Sequence, residues 1–452
     1  MKKNLETQKE KIKGSLSKII DTHFEEFEKR SSQSEFTIDD MEELMLKQQK
    51  NIRDILNESN SDLVSSIEID SKKNCPKCGN TIRRTKKGEK VEIKTLNGEL
   101  EIIRDYYYCR KCQYSETPLD EFLEIDELPH KMTKGLMLEV AYYGQNQNSF
   151  SDASEMLERA LHMEVNKETV RAVTERIGRM VFEADTKKAV HVLENMHEIE
   201  VEPEENRKGV LYIMTDGAAV NTRVKDENGS SWRENKTVIA FTDKDMIKRK
   251  DGSHMIIKKE YAAFIGSAEE FRGYVLNTAV NAGYGKIREV VIIGDGAAWI
   301  RNMAAELFPE SVQILDLYHL KENIYTYAKY KFAYNDKEYA AWAEIFIDKI
   351  EKGKKEEALQ LLPEEEKLPA GVVNLRTYIN NNIDRINYHQ YKKMGYFVGS
   401  GAIESANKVI LQRRLKQSGM RWSAAGAQDV LSLRAKVESA RWESDVESLL
   451  LA

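Results

Sequence analysis

The sequence of 452 residues has few cysteines, no long apolar run and no excess of positive charge. No stretch of about 18 apolar residues occurs, the length a helix needs to cross a bilayer, so a membrane-embedded chain is not expected. The opening MKKNLETQKEKIKG puts two lysines at its start with no apolar stretch behind them. That is unlike a secretory signal, and the expected compartment is the cytoplasm. No period of 20 to 50 residues repeats, and no low-complexity tract appears, which excludes a solenoid or a compositionally biased tail. Neither of the two most apolar strand-like segments leads into a GxGxxG or Walker lysine loop, which argues against a nucleotide-dependent enzyme on a doubly wound sheet. With 69 Lys and Arg against 75 Asp and Glu, the formal net charge is −6. Taken whole, that opposes a polyanionic partner.

The charge is unevenly spread. Acids crowd into 22–69, 119–127 and 351–367, whereas 405–436 holds Lys408, Arg413, Arg414, Lys416, Arg421, Arg434 and Lys436 against one acid, Asp429. Such a run is either a binding strip or a solvated face. The length suggests two to four domains. Residues 1–70 read as a helical arm, with Thr37 and Asp40 placed as a capping box. Residues 71–128 form a small β module, in which Leu96-Asn97-Gly98-Glu99 between VEIKT and LEIIRDYYY signals a hairpin. Residues 129–200 are helical and include short amphipathic segments at 151–161 and 167–178. From 201 to 319 the order is β-β-β-α-β-α-β, which implies a mixed sheet in an α/β fold. An α-helical insertion is expected over 320–395, and further helices over 396–452.

The four cysteines fall as Cys75-Pro-Lys-Cys78 and Cys109-Arg-Lys-Cys112. Two intervening residues let both sulfurs of a knuckle reach one ion, and the hairpin between the pairs brings the knuckles together. Four soft thiolates favour a closed, structural Zn²⁺ site over disulfides in a cytoplasmic chain. Such a site leaves no position for substrate.

Two acids each close an apolar strand. Asp216 follows Leu211-Tyr212-Ile213-Met214 and precedes Gly217; Asp295 follows Val290-Val291-Ile292-Ile293 and precedes Gly296. Strand ends of this kind form sites, and a glycine lets a ligand approach. Paired carboxylates repel unless a hard cation such as Mg²⁺ or Mn²⁺ intervenes. Glu404, in the first turn after Gly401, shares a helical face with Leu411 and Leu415 and is expected to point inward. A surface pair with Lys408 is the alternative. Asp316 and His319 offer a competing ligand set: Asp316 is a supporting site residue, a strand-end cap or the third carboxylate itself.

Together these segments resemble the DDE transposases of bacterial insertion sequences, most closely the ISKra-type group, whose pattern is similar to eukaryotic Mutator-like elements. The resemblance is carried by CPKCG (75–79), YYYCRKC (106–112), TDGAAV (215–220), IGDGAAWI (293–300), LDLYHLKENI (315–324) and GSGAIESANKVILQRRLKQSGMRWSAAGAQDVLSLRA (399–435). It implies a ribonuclease H-like mixed sheet with an α-helical insertion before the last acid, preceded by a zinc-ribbon module and helical N-terminal regions. It maps the catalytic carboxylates onto Asp216, Asp295 and Glu404, with Asp316 and His319 in support. It also implies Mg²⁺- or Mn²⁺-dependent cleavage of element ends and strand transfer into target DNA, with two ions bridging the scissile phosphate. The partners would be the terminal inverted repeats, the target duplex and a second copy of the chain, at the nucleoid. The 151–178 pair resembles a helix-turn-helix offering Lys167, Thr169, Arg171 and Arg176, or else is an ordinary helical hairpin. Lys408, Arg413, Arg414, Lys416 and Arg421 are placed to track the backbone of DNA. Trp422 either stacks on an unpaired base or lies in the core. The other reading of the resemblance is an inactive, transposase-derived DNA-binding regulator.

Overall fold

The computed structural model describes residues 2–32, 36–67, 69, 74–250, 254–333, 335–365 and 367–451. The expected boundary between arm and β module, at 70/71, lies outside the described residues. The chain divides into two compact units, 1–173 and 174–452, with no helix long and apolar enough to cross a membrane among the described residues.

The first unit opens with two long helices, α1 (Lys2–Ser31) and α2 (Ile38–Ser65). Thr37 and Asp40 form the expected capping box at the start of α2. Strands β1 (Arg83–Thr95) and β2 (Gly98–Tyr108) make the expected hairpin, pairing Thr95 with Gly98 across Leu96-Asn97. Gly98 has φ +117, a conformation that an L side chain strains to adopt. A two-residue strand, β3 (Ser115–Glu116), completes the sheet against β2. Val91, Ile93 and Ile102 of the hairpin pack with Leu119 of α3 (Pro118–Phe122) and with Ile125. Then follow α4 (Lys134–Asn146), α5 (Phe150–Leu161) and α6 (Lys167–Glu194), with the division between the units falling inside α6. His162 ends α5 in a left-handed conformation, and Asn166 Oδ1 accepts from Thr169 N at 2.8 Å to start α6. The second helix therefore runs well past the expected end at 178. Gly178 is not a stop: it lies against the backbone of Asp429, where any larger residue would collide.

The second unit is built on a five-stranded sheet of order β10-β9-β4-β5-β8, formed by β4 (Val210–Asn221), β5 (Trp232–Thr242), β8 (Glu260–Ile265), β9 (Glu289–Gly294) and β10 (Val312–Leu315). β4, β5 and β8 are antiparallel neighbours, while β9 runs parallel to both β4 and β10. This is the mixed α/β sheet that the strand order predicts. A small hairpin of β6 (Met246–Lys248) and β7 (His254–Ile256), which the sequence reading missed, lies between β5 and β8. One face of the sheet packs Leu211, Ile213, Val238 and Ala240 against α7 (Ala268–Asn281), α8 (Ala298–Leu307) and Ala189 of α6.

Both sheet edges receive hydrogen bonds from later parts of the chain, where unpaired edges would invite association. At β10, the carbonyl of Arg385 accepts from Leu315 N at 3.0 Å, and Tyr388 Oη donates to Leu315 O at 2.9 Å. At β8, Gln428 accepts from Ile265 N and donates to Ala263 O.

The stretch after β10 is helical, with α9 (Leu317–Lys331), α10 (Asp336–Glu351), α11 (Lys355–Leu359), α12 (Leu375–Asn381) and α13 (Tyr388–Lys393). The chain leaves the sheet and returns at one place, since Leu317 N donates to Val398 O at 2.9 Å. Next comes α14 (Gly401–Asn407), which passes through a wider π-type turn, Lys408–Gln412, into α15 (Arg413–Leu415). Then α16 (Ala424–Glu438), buried from Gly426 to Lys436, and α17 (Ser448–Leu451) close the chain.

Candidate functional site

In the first unit, the two Cys-x-x-Cys turns are built alike. Gly79 N donates to Cys75 O and Gln113 N to Cys109 O, each at 2.9 Å, and Gly79 and Gln113 both take positive φ. These tight turns bring the sulfurs together: Cys75 Sγ lies 3.3 Å from Cys112 Sγ and Cys78 Sγ 3.5 Å from Cys109 Sγ, with all four within 4.8 Å of one another. The thiols are free, not disulfides. A tetrahedral site with metal–sulfur bonds of about 2.3 Å has edges of roughly 3.8 Å, so the cluster fits an ion such as Zn²⁺ with little rearrangement. The backbone N–H and side-chain amide of Asn80 draw the Cys78 thiol down to about 6, toward the thiolate that metal binding requires.

The carboxylates lie in the second unit. The parallel register pairs Met214 with Ile293, and Leu315 with Gly294. Two residues beyond Met214 and Ile293 come Asp216 and Asp295, and Asp316 follows Leu315, so the three acids stand level across β4, β9 and β10. The strand end expected at Asp216 does not occur. Asp216 does not end its strand; it lies midway along β4, which continues to Asn221 because β5 keeps pairing with it after β9 has stopped. The site is therefore a step in the sheet rather than a row of strand ends. Gly296 does not lie open to a ligand either. The ring of Tyr378, from α12, fills the space a side chain there would need. Burial and the nearby charge of Asp295 push the Tyr378 phenol up to about 12, so it stays a neutral group beside that carboxylate.

Asp316 is fully buried and unusually well supplied with donors. It caps α9, accepting from Tyr318 N at 3.2 Å and His319 N at 3.0 Å, takes the His319 ring Nδ1, and accepts from Ser400 N at 2.8 Å and Ser400 Oγ at 2.9 Å. It is thus the cap of α9 and at the same time the hydrogen-bond partner of Ser400. Burial pushes its carboxyl up, but the hydrogen bonds from His319 and Ser400 outweigh that and hold it below the ordinary range. The hydrogen bond to Asp316, reinforced by the charges of Asp295 and Asp216, raises His319 to about 9, so the ring is an imidazolium facing the acids. Asp216 is shifted upward, chiefly by burial and then by Asp295, against the Gly217 N–H, His319 and Asn407.

Helix α14 is fastened to this group at both ends. Ser400, just before it, stands 2.9 Å from Asp316 Oδ2 and 2.9 Å from Glu404 Oε1. One hydroxyl proton serves two carboxylates. Asn407, one turn after Glu404, donates from Nδ2 to Asp216 Oδ2 at 2.6 Å. Glu404 itself is exposed, contrary to the inward face expected of it. Leu411 and Leu415 are buried as expected, but the wider turn at Lys408–Gln412, which follows Glu404 and contains Leu411, breaks the phase of the helix. Ser400, Asn407 and Tyr378 went unnoticed in the sequence. The signal for Asn407 was its place one helical turn beyond an acid in the Glu404-Ser405-Ala406-Asn407 run.

The basic segment is not a continuous exposed strip. Arg414, Arg434 and Lys436 are buried. Arg434 donates to the carbonyls of Val409 and Ile410, in the wide turn, and Lys436 pairs with Asp185 and Asp445. Arg414 lies over the ring of Trp422, 5.0 Å from its centroid, and the buried Trp422 donates from Nε1 to Leu415 O at 3.2 Å. Neither Arg414 nor Trp422 is presented to a strand of DNA. Lys408, Arg413, Lys416 and Arg421 remain exposed. On α6, Lys167, Arg171 and Arg176 are exposed and Thr169 is half-buried. At about 100° per residue, Lys167 and Arg171 share one face while Thr169 and Arg176 share the opposite one.

On the other face of the sheet, a 410 Å³ cavity is walled by Met214, Phe241, Phe397 and Ser405, with Arg249, His254 and Lys259 at its edge.

Among the described residues, the cysteines are the one group of three or more His, Cys, Asp or Glu whose ligand atoms all lie within 4.8 Å; the carboxylates are more loosely spaced. No curated protein matches the chain. A family profile covers residues 34–447, which takes in both units, the cysteine cluster and every acid of the carboxylate group. The chain belongs to the uncharacterised protein family UPF0236.

Proposed function

We propose that this protein is a DNA transposase: a ribonuclease H-like phosphoryl-transfer enzyme with a zinc-ribbon module, working on the terminal inverted repeats of an insertion sequence. The observation that carries the reading is the level placement of Asp216, Asp295 and Asp316 across adjoining strands, with the post-insertion helix α14 fastened onto them. The strand order, with three antiparallel neighbours and two parallel additions, and the helical insertion before α14 support the ribonuclease H-like assignment. The hairpin between two Cys-x-x-Cys turns supports the zinc ribbon.

Asp216 and Asp295 are the first two catalytic carboxylates and Glu404 the third. A divalent cation such as Mg²⁺ or Mn²⁺, when bound, neutralises the charge that builds on the phosphate as one P–O bond forms and the other breaks. Asp316 and Ser400 orient Glu404 through the Ser400 hydroxyl, and its exposure leaves its carboxylate open to a divalent cation. His319 places a fixed positive charge beside the acids and keeps them together before substrate arrives. Lys408, Arg413, Lys416 and Arg421, near the third acid in sequence, follow the DNA backbone. Hydrolysis releases the 3′-hydroxyl of the element, and that hydroxyl then attacks a target phosphodiester at the same carboxylates.

Joining of a labelled, pre-cut terminal repeat to a supercoiled plasmid tests this reading. Wild type should yield joined products with Mg²⁺ or Mn²⁺, and Asp216→Asn should yield none while still retarding the repeat in a gel.

A further inference from the structure

We infer that Asn407 belongs to the divalent-cation site, turning its side-chain oxygen toward an ion held by Asp216 and Asp295. The inference rests on the proposed function and adds a residue to its site. Asn407 is 4 % exposed, at the last position of α14, and reaches Asp216 directly, with Nδ2 2.6 Å from Oδ2. Its other end is the informative one. Oδ1 is buried and has no hydrogen-bond partner. Buried polar atoms are nearly always paired, and the hydrogen bond to Asp216 accounts only for the donor end of this amide.

An amide has a donor end and an acceptor end, and rotation about its last bond exchanges them. In the present arrangement the donor end faces Asp216 and offsets part of its charge. With the ends exchanged, Oδ1 would face Asp216 Oδ2, oxygen against oxygen, which is repulsive unless a cation lies between them. Amide carbonyls are good ligands for hard divalent ions, and Mg²⁺ and Mn²⁺ accept a few protein oxygens while keeping several waters. The ion that relieves the repulsion also gives the unpaired oxygen a partner. Asn407 is thus built for two states: an amide donor holding Asp216 when no ion is present, and an oxygen ligand when one is.

The carboxylates alone are spaced too loosely for a compact three-acid site. The amide supplies a further oxygen from the helix that carries Glu404, so ion binding also fixes α14 relative to the sheet.

The test is Mn²⁺ titration of the full, zinc-loaded chain, following loss of the free-ion signal by electron paramagnetic resonance, for wild type, Asn407→Leu, Asn407→Asp and Asp295→Asn. Asn407→Leu keeps the branched outline and removes the oxygen, and should weaken binding about tenfold or more. Asn407→Asp adds a charged oxygen and should tighten it, which decides the matter should Asn407→Leu not fold. If both Asn407 variants bind as wild type does while Asp295→Asn abolishes binding, the inference is wrong and the acid pair stands. If wild type shows no saturable binding, both the inference and the metal-dependent reading fall.

Discussion

Asp316 Oδ2 accepts both the backbone N–H of His319, at 3.0 Å, and the Nδ1 of its ring, within the first turn of α9. The pairing links a buried anion to a ring that is about a third exposed, so the proton on that ring belongs to the folded state.

With His319 raised to about 9 from an unfolded value near 6.5, the pairing stabilises the metal-free protein fully below pH 6.5. Above that the folded form still holds a proton that the unfolded form has lost, and the stabilisation drains away as pH rises through 9. The difference in melting temperature between wild type and His319→Gln should therefore be constant below pH 6.5 and shrink from there to about pH 9. A ring proton titrating near 6.5 in the folded protein, by NMR, would contradict this.

The cysteine cluster predicts one tightly held zinc per chain. Cys78→Ser or Cys109→Ser should release it, measured by elemental analysis of the dialysed protein. Protease should then cut first within 74–116. Asp295→Asn should retain its zinc, because that residue lies in the other unit.

Two stability predictions come from the second unit. Gly178 meets the backbone of Asp429, and the methyl of Gly178→Ala should cost about 1–3 kcal/mol by overpacking. Arg434→Met should cost about 3 kcal/mol or more, since it leaves the carbonyls of Val409 and Ile410 buried without donors. Urea unfolding of each variant checks both figures.

Exposure separates the basic residues in their effect on DNA. Removing Arg413, Lys416 or Arg421 should each reduce the slope of log affinity against log salt by about 0.9 for every lost phosphate contact. Arg414→Ala and Trp422→Ala should instead lower the melting temperature and leave the slope of the folded fraction unchanged. An unaltered slope in all three exposed variants would remove this segment from the DNA path.

The sheet was legible in the sequence because apolar strands and the acids after them are local patterns, and the cysteine spacing was legible for the same reason. What could not be read depends on chain that returns after a long detour. Ser400 acquires its meaning only when the insertion closes and brings it back to Asp316, and Tyr378 only when α12 covers Gly296. Asp216 was read as a strand end because Gly217 follows it, but the length of β4 is set by its partner β5 and not by its own residues. Glu404 was assigned to the wrong face because a regular helical period was carried across a turn that is not regular, one whose freed carbonyls are taken up by Arg434 more than twenty residues later. Arg414 and Arg434 show the same thing for charge. A basic run in sequence separates into surface and core once α16 is buried.

Phosphoryl transfer is proposed to be the work of Asp216, Asp295 and Glu404. Nicking of a terminal-repeat duplex in Mg²⁺ or Mn²⁺, with wild type, Asp295→Asn and Glu404→Gln compared at equal DNA occupancy, measures it directly. Wild type should cleave at the repeat end, and each variant should lose at least about a hundredfold. Equal nicking by all three proteins would contradict it.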